Sequence, residues 1–325
     1  MTSEPKALLR SFLEANWLKP FDAVWDASVA STLTSVRMEE PSLDLGCGDG
    51  LFMLIALGGR VRMAYDRYTD THLRLRGDLS SAPASMTSVV SALPQRRITV
   101  GLDLKAGLVD KARRMQTYRH LLVGDGQALP FKDRAFASVF CNILYWLPDW
   151  QAGLREMRRV LRADGRLVLV VPNRHVGDCL RSYHKARRYR QGRWRLAANF
   201  FAWIDHGRFS TLTRLTGDRE EWRHRLRQAG FELGAHYPVL DSGAVVRWDF
   251  STRPLLHGLV LMGRGLRAVG LKPAVKHVVV RMWQRRVWPW LERSLTPTED
   301  ACGLWVLVAA PSRQSKPRET VQGRC

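Results

Sequence analysis

Cysteine is scarce in this 325-residue chain. The five, Cys47, Cys141, Cys179, Cys302 and Cys325, are widely spaced, odd in number and free of any CxxC pair. That excludes a disulfide framework and a zinc-finger spacing, and makes a reducing compartment the expectation. Long apolar runs are missing too. The longest stretch without a charge or histidine, Leu79 to Gln95, is serine-rich and carries two prolines, unlike the ~20 mostly apolar residues that cross a bilayer. No basic segment followed by an apolar one opens the sequence, so a secretory leader is not expected.

Acidic residues are the other shortage, with 30 Asp+Glu against 51 Lys+Arg and a net charge of +21. The imbalance is lopsided. Residues 1–172 hold 23 basic against 18 acidic side chains, whereas residues 173–325 hold 28 against 12, together with eight of the twelve tryptophans. A basic, tryptophan-rich half fits an anionic partner: nucleic acid, a phospholipid surface or a phosphate-bearing substrate. The bland alternative is a solvated basic face. With 46% hydrophobic and 25% charged residues, the composition is that of a globular protein.

Apolar residues at helical spacing (Leu8, Leu9, Phe12, Leu13, then Trp17, Phe21, Val24, Trp25) predict one or two helices ahead of the core. Pro41 to Gly50 reads as a short strand running into a glycine-rich turn, with a helix over Leu51–Leu57. Further strands are expected over 97–103, 120–125, 136–142 and 165–172, with helices over 105–116 and 150–161 between them. Such alternation means βαβ units and a parallel sheet. Residues 174–215 show no clear period. A helix over 220–228, a strand over 231–240, Trp- and Arg-rich helices over 246–295 and a last strand over 303–310 follow. The expected divisions are N-terminal helices (1–40), a core (41–172, with 60–97 as an insertion), a substrate-side half (173–312) and a polar tail (313–325).

Asp44-Leu-Gly-Cys-Gly-Asp-Gly50 occupies a strand-to-helix turn. Glycines there tolerate positive φ and let the backbone approach a ligand, and a helix start offers free N–H groups. The spacing is not the GxGxxG of the dinucleotide form. Asp103 ends the next clear strand, where a carboxylate can accept both hydroxyls of a ribose. Asp125 ends the third, in Gly124-Asp-Gly-Gln-Ala-Leu-Pro-Phe131, where a carboxylate beside open N–H groups suits adenine. Three such sites at successive strand ends describe a nucleoside cleft.

In these motifs the chain resembles the class I S-adenosylmethionine-dependent methyltransferases, in particular the type 11 group. Leu43 to Gly50 resembles the first motif, Gly101 to Leu104 the second, Gly124 to Phe131 the third, Phe136 to Asp149 the fourth, and Leu154 to Pro172 the fifth. The resemblance implies a Rossmann-like α/β fold, a seven-stranded mostly parallel sheet with helices on both faces and an antiparallel last strand, and S-adenosyl-L-methionine as cofactor. It implies cofactor contacts from Asp44, Gly46, Cys47, Gly48, Gly50, Asp103, Leu104, Asp125, Gly126, Gln127 and Asn142, and no metal. Three departures stand out. The interval from Gly50 to Asp103 is long, which makes Asp66 a rival for the ribose. The Phe-Asp pair often found in the family is Phe136-Ala137 here. Tyr145-Trp146 replaces the family's acid–histidine or histidine pair, so no carboxylate or imidazole base comes from that position, although Tyr145 can line the pocket.

Transfer to an oxygen usually needs a general base. The candidates after the fifth strand are His206, Asp205 and His175, with His184 nearby. Asn142 to Tyr145 lacks both prolines of the Asn-Pro-Pro-Tyr tetrad that holds a flipped base, and no nucleic-acid module is present. Helices such as Val278–Leu291 interleave apolar, cationic and Trp residues, as interfacial helices do; Arg stems packed over the sheet would give the same pattern. Insertions after the fifth and sixth strands are expected to form a substrate lid. The resulting expectation is methyl transfer to an oxygen of a small-molecule, glycan or lipid-linked intermediate of bacterial surface-polysaccharide or lipid biosynthesis, in the cytoplasm or peripherally on an anionic inner-membrane face. An RNA methyltransferase and a non-catalytic cofactor-binding subunit are the rivals.

Overall fold

A computed structural model describes residues 5–68, 89–192, 194–251 and 255–312. Two helices, α1 (Pro5–Ala15) and α2 (Pro20–Leu33), lead into β1 (Ser42–Leu45), α3 (Leu51–Ala56) and a small antiparallel pair, β2 (Arg60–Val61) with β3 (Val90–Ala92). The alternating core follows as β4 (Ile98–Asp103), α4 (Ala106–Met115), β5 (Tyr118–Val123), β6 (Phe136–Cys141), α5 (Trp150–Val160) and β7 (Leu161–Pro172). Helices α6 (Arg181–Gln191), α7 (Arg195–Asp205), α8 (Arg208–Leu212) and α9 (Arg219–Gln228) precede β8 (Phe231–Asp241). Helices α10 (Ser242–Phe250), α11 (Leu256–Ala268) and α12 (Lys272–Leu295) precede β9 (Cys302–Pro311).

One seven-stranded sheet runs in the order β5-β4-β1-β6-β7-β9-β8. β1 pairs in parallel with β4 on one side and β6 on the other, and β9 lies antiparallel between β7 and β8. All four residues of β1 are buried, as a central strand covered on both faces requires. The strand order reverses at β1, so the crevice beyond the carboxyl ends of β1 and β4 is where such sheets take a ligand. The rest of the core follows its local signals. α5 turns Leu154, Met157 and Val160 onto the sheet, and Asp149 caps it by accepting the Ala152 N–H at 2.9 Å. The last two strands, expected in the substrate-side half, complete the same sheet as the core.

Residues 174–215, which lack a period, form a 3-10 helix (Arg174–Cys179) and three α-helices among the described residues. The reason is that α6 buries only Ser182 and Ala186, while α7 buries Ala198, Ile204 and Asp205 and leaves Leu196, Phe200 and Trp203 exposed. Small residues make the packing face, so the apolar pattern is inverted. A buried polar knot holds these helices. Both oxygens of the fully buried Asp249 accept from Ser182, N–H and hydroxyl, at 2.7 Å, and Arg208 Nη2 lies 2.8 Å from Asp249 Oδ1. Removing one partner of such a pair strands the other charge, so Asp249→Ala should lose about 3–5 kcal/mol in urea unfolding. A loss below about 1 kcal/mol would show that the knot contributes little.

Within the insertion, the part covering Leu79 lies outside the described residues, as does the tail beyond Ser312. The segment up to Tyr68 does not hang free. It is tied to α12, where the buried Lys276 ammonium donates to the carbonyls of Met63, at 2.9 Å, and Tyr65. No helix among the described residues is long and apolar enough to cross a membrane.

Candidate active site at the carboxyl edge of the sheet

The turn after β1 is built from three left-handed glycines, Gly46 (φ +82°), Gly48 (φ +58°) and Gly50 (φ +75°). Two of them explain the glycine requirement. A Cβ on Gly46 would stand 2.4 Å from Ile143 Cγ1, so the turn packs directly on the segment after β6. A Cβ on Gly48 would meet no protein atom within 4 Å, so above it the chain leaves room for a ligand against bare backbone. The amides of Gly46 and Cys47 both donate to the Leu102 carbonyl, at 2.8 and 3.0 Å, and Gly48 N–H donates to Asp103 Oδ2 at 3.0 Å. Asp103 Oδ1 accepts the Lys105 N–H at 2.9 Å.

The free amides expected at the helix start are therefore partly used, because the acids of the loop cap their own neighbours. Asp49 Oδ1 also accepts the Leu51 N–H, at 3.3 Å. Asp44 sits beneath the turn, 3% exposed, accepting the Tyr118 hydroxyl at 2.6 Å. Burial raises its carboxyl to about 7, against the lowering effect of that hydrogen bond, and the charge of Asp103 adds to the rise. The Cys47 thiol, also buried, is pushed well above its usual range, first by burial and then by Asp44, Asp103 and Asp49. It is no thiolate nucleophile.

Asp125 is exposed, and its Oδ1 accepts the Gln127 N–H at 2.9 Å. The Gln127 amide reaches onward, with Oε1 accepting the Asp149 N–H at 2.6 Å. Gly126 packs close to Leu45 at the end of β1. Leu104, 69% exposed, and Val123, 52% exposed, present apolar side chains to the same edge. Asn142 lies in the turn after β6, next to the Ile143 that abuts Gly46. The fold thus gathers Asp44, the three glycines, Asp103, Leu104, the Asp125 turn and Asn142 along one edge, although they span about a hundred residues of sequence.

Asp66, the rival of Asp103, faces the other way. It is wholly buried, accepts from the Trp17 indole and the Tyr68 N–H (2.9 Å), and lies 3.7 Å from the Lys272 ammonium. The base candidates are not gathered. Asp205 is buried and its two oxygens accept the Gly207 and Phe209 amides at 3.1 Å, a turn-capping role. His206 is the exposed left-handed residue that ends α7, and the half-exposed side chain of His175 stands 3.5 Å from Asp178. His184 lies against the Gly177 carbonyl.

Sequence reasoning missed an ion pair beside the loop: Arg67 grips Asp49 with two nitrogens, at 2.8 and 3.2 Å. It joins the glycine turn to a residue 18 positions on that lies in no motif, and no local period announces it. Metal-binding clusters of His, Cys, Asp and Glu are absent among the described residues.

Residues 78–169, which carry β4 to β7 with Asp103 and Asp125, match the family described as Methyltransferase domain. That match, over under a third of the chain, supports a class I S-adenosylmethionine-dependent methyltransferase domain. Its cofactor is S-adenosylmethionine, and the chain's own residues fit that group: bare backbone over Gly48, acids at two strand ends, and exposed apolar side chains between them.

The match begins beyond the glycine turn, so the turn is identified from its geometry. Among curated relatives, the methyltransferase is 30% identical to a malonyl-[acyl-carrier protein] O-methyltransferase of Legionella pneumophila over 95 residues, 28% of this chain and 34% of that one. It is 29% identical to the ubiquinone/menaquinone biosynthesis C-methyltransferase of Stenotrophomonas maltophilia over 210 residues, 59% of this chain and 80% of that one. The first three curated relatives it matches are spanned over only 34%, 28% and 62% of their lengths.

Proposed function

We propose that this methyltransferase methylates an oxygen of a glycan or lipid-linked intermediate presented at an anionic membrane face. The observation that carries the reading is the outer face of α7. Leu196 (88% exposed), Phe200 and Trp203 repeat at helical spacing on the solvent side, and α6, packed against α7, carries Arg187, Arg188 and Arg190. An apolar row with Trp beside clustered cations suits the headgroup zone of an anionic bilayer. Val278 and Met282 on α12, beside Arg281 and Arg285, repeat the pattern. Relatives named for an acyl-carrier O-methylation and for quinone methylation support a carrier-bound or lipid acceptor.

Within this reading the turn from Asp44 to Gly50, with Cys47, holds the methionine portion of the cofactor, and Asp103 accepts the ribose hydroxyls. Asp125, Gly126 and Gln127 meet the adenine, Leu104 covers it, and Asn142 closes the edge after β6. Bound there, the cofactor supplies a methyl group on a sulfonium, an already activated leaving group. The chain's contribution is alignment: a rigid turn pinned by Asp103 and Ile143 and an acceptor side framed by Tyr145.

Cosedimentation with vesicles containing phosphatidylglycerol tests the membrane element. Binding should drop at least tenfold in Leu196→Asp/Trp203→Asp and in neutral phosphatidylcholine vesicles. An acceptor screen with labelled S-adenosylmethionine and polyprenyl-phosphate-linked sugars tests the substrate. A salt-dependent mobility shift on RNA, with no vesicle binding, would instead favour an RNA acceptor.

A further inference from the structure

The carboxyl edge of the sheet carries a second feature, away from the glycine turn. β7 ends there at Pro172, opposite Leu304 of β9, and β8 ends there at Asp241, opposite Cys302. α10 starts directly after Asp241, and the 3-10 helix after β7 leads into Arg181, the first residue of α6. Between these helix starts and α2 lies an open groove of about 520 Å³, lined by Phe21, Arg181, Val246, Arg247, Phe250 and Ser251. A volume of that order takes a small molecule or a head group. β7 and β8 are two and four strands along from β1, which puts the groove roughly 10–19 Å from the glycine turn along the sheet.

Neither arginine of the groove pairs with an acid among the described residues. The acids on either side of α10's length are engaged elsewhere: Asp241 accepts the Gly243 N–H at 2.9 Å, and Asp249 is taken by Ser182 and Arg208. Arg247 is held in place by a ring. Its guanidinium stacks 3.6 Å from the centroid of Trp290, and a Cβ on Gly243 would stand 2.8 Å from that same ring. A guanidinium stacked on its face keeps N–H groups free at its edge, the fork that a pair of phosphate oxygens takes. Lys185, one turn after Arg181 on α6, adds a cation 5.1 Å from the Phe250 ring. The apolar wall continues outward. Phe250 meets Phe201 of α7 at 6.1 Å between centroids, Phe201 meets Phe200 at 5.4 Å, and Phe200 meets Trp203 at 6.1 Å. Phe200 and Trp203 belong to the exposed row of α7. Rings therefore run without a break from that row to the groove.

We propose that the groove binds the phosphate of a lipid phosphate ester. The inference deepens the lipid-linked acceptor reading above and rests on it. Arg181 and Arg247 hold the phosphate oxygens, and the apolar chain leaves along the rings of Phe250, Phe201 and Phe200. The group that carries the acceptor oxygen extends the other way, toward the cofactor turn, and the separation along the sheet leaves room for a glycan between phosphate and methyl. Each wall selects. The arginines favour an anion over an alcohol, and the rings favour an ester with an apolar chain over free phosphate. Because both arginines are exposed, binding weakens as salt rises.

Calorimetry on the full chain with farnesyl phosphate, below its micelle concentration and without vesicles, is the first test. One site per chain is expected, and farnesol and inorganic phosphate should each bind at least about tenfold more weakly. Arg181→Gln/Arg247→Gln should lower farnesyl phosphate affinity at least about tenfold while S-adenosylmethionine affinity stays within about twofold of the parent. Arg247 also packs on Trp290, so Arg181→Gln alone, at an exposed helix start, guards against a folding effect and should weaken farnesyl phosphate in the same direction. Phe250→Ala should weaken farnesyl phosphate and leave inorganic phosphate unchanged. No binding of farnesyl phosphate, or unchanged affinity in the double variant, overturns the groove. Equal binding of farnesol overturns the phosphate, and equal binding of inorganic phosphate overturns the lipid. If the vesicle test fails while this pattern holds, the membrane reading falls and the groove stands. On a polyprenyl-phosphate-linked sugar that is methylated, the double variant should raise KM at least about tenfold with kcat little changed; an unchanged KM overturns the proposal.

Discussion

Gly48→Val is expected to keep the fold and lose S-adenosylmethionine. The new Cβ would touch no protein atom, so the folded state suffers mainly from a β-branched residue at φ +58°, a strain of about 1–2 kcal/mol. In the cradle over the turn, however, the isopropyl group fills the space that the bound cofactor requires. Calorimetric affinity should fall at least a hundredfold while the melting temperature drops by only a few degrees. Gly46→Val makes the informative contrast: its Cβ would run into Ile143, so it should damage folding itself. Normal binding by folded Gly48→Val would remove the glycine turn from the cofactor site.

Asp103→Ala should produce the other large effect. Its carboxylate already organises the site by accepting the Gly48 and Lys105 amides, and the ribose role proposed for it adds two further charge-assisted hydrogen bonds. At about 1.5–3 kcal/mol each, losing the ribose bonds alone lowers affinity on the order of a hundredfold or more. Asp103→Asn retains one acceptor oxygen and should fall between. Because the charge of Asp103 helps to hold the Asp44 carboxyl up, the Asp44 midpoint should also move down in both variants, an effect readable without any ligand. Unchanged affinity in Asp103→Ala would take the ribose away from the end of β4 altogether, since Asp66 is buried against Trp17 and cannot replace it.

The core was legible in the sequence because its signals are local. The inner strands are mostly apolar, as burial on both faces demands, and local residues stop them: Gly46 after β1, Asp103 at the end of β4 and Pro172 at the end of β7. α5 and α9 are capped by near neighbours, Asp149 and the Asp218–Glu221 capping box, the latter visible only in the structure. From the local strand and turn signals alone came the alternation, the parallel sheet and the cluster of cofactor residues at one edge. Where the packing face is made of Ser182, Ala186 and Ala198, the period disappeared and the helices after β7 went unread.

Tertiary structure decided what depends on partners distant in sequence. Asp66 and Asp103 are both acids after apolar residues, and only the approach of Trp17, 49 residues away, and of Lys272 turns Asp66 inward. The bond from Lys276 to the Tyr65 carbonyl, across 211 positions, anchors the insertion so that Arg67 meets Asp49. Local chain chemistry determines strands, turns and caps, since those energies come from near neighbours. Which acid stands at the site and which is buried elsewhere is settled only when every remote partner has been placed, and that is a property of the folded whole.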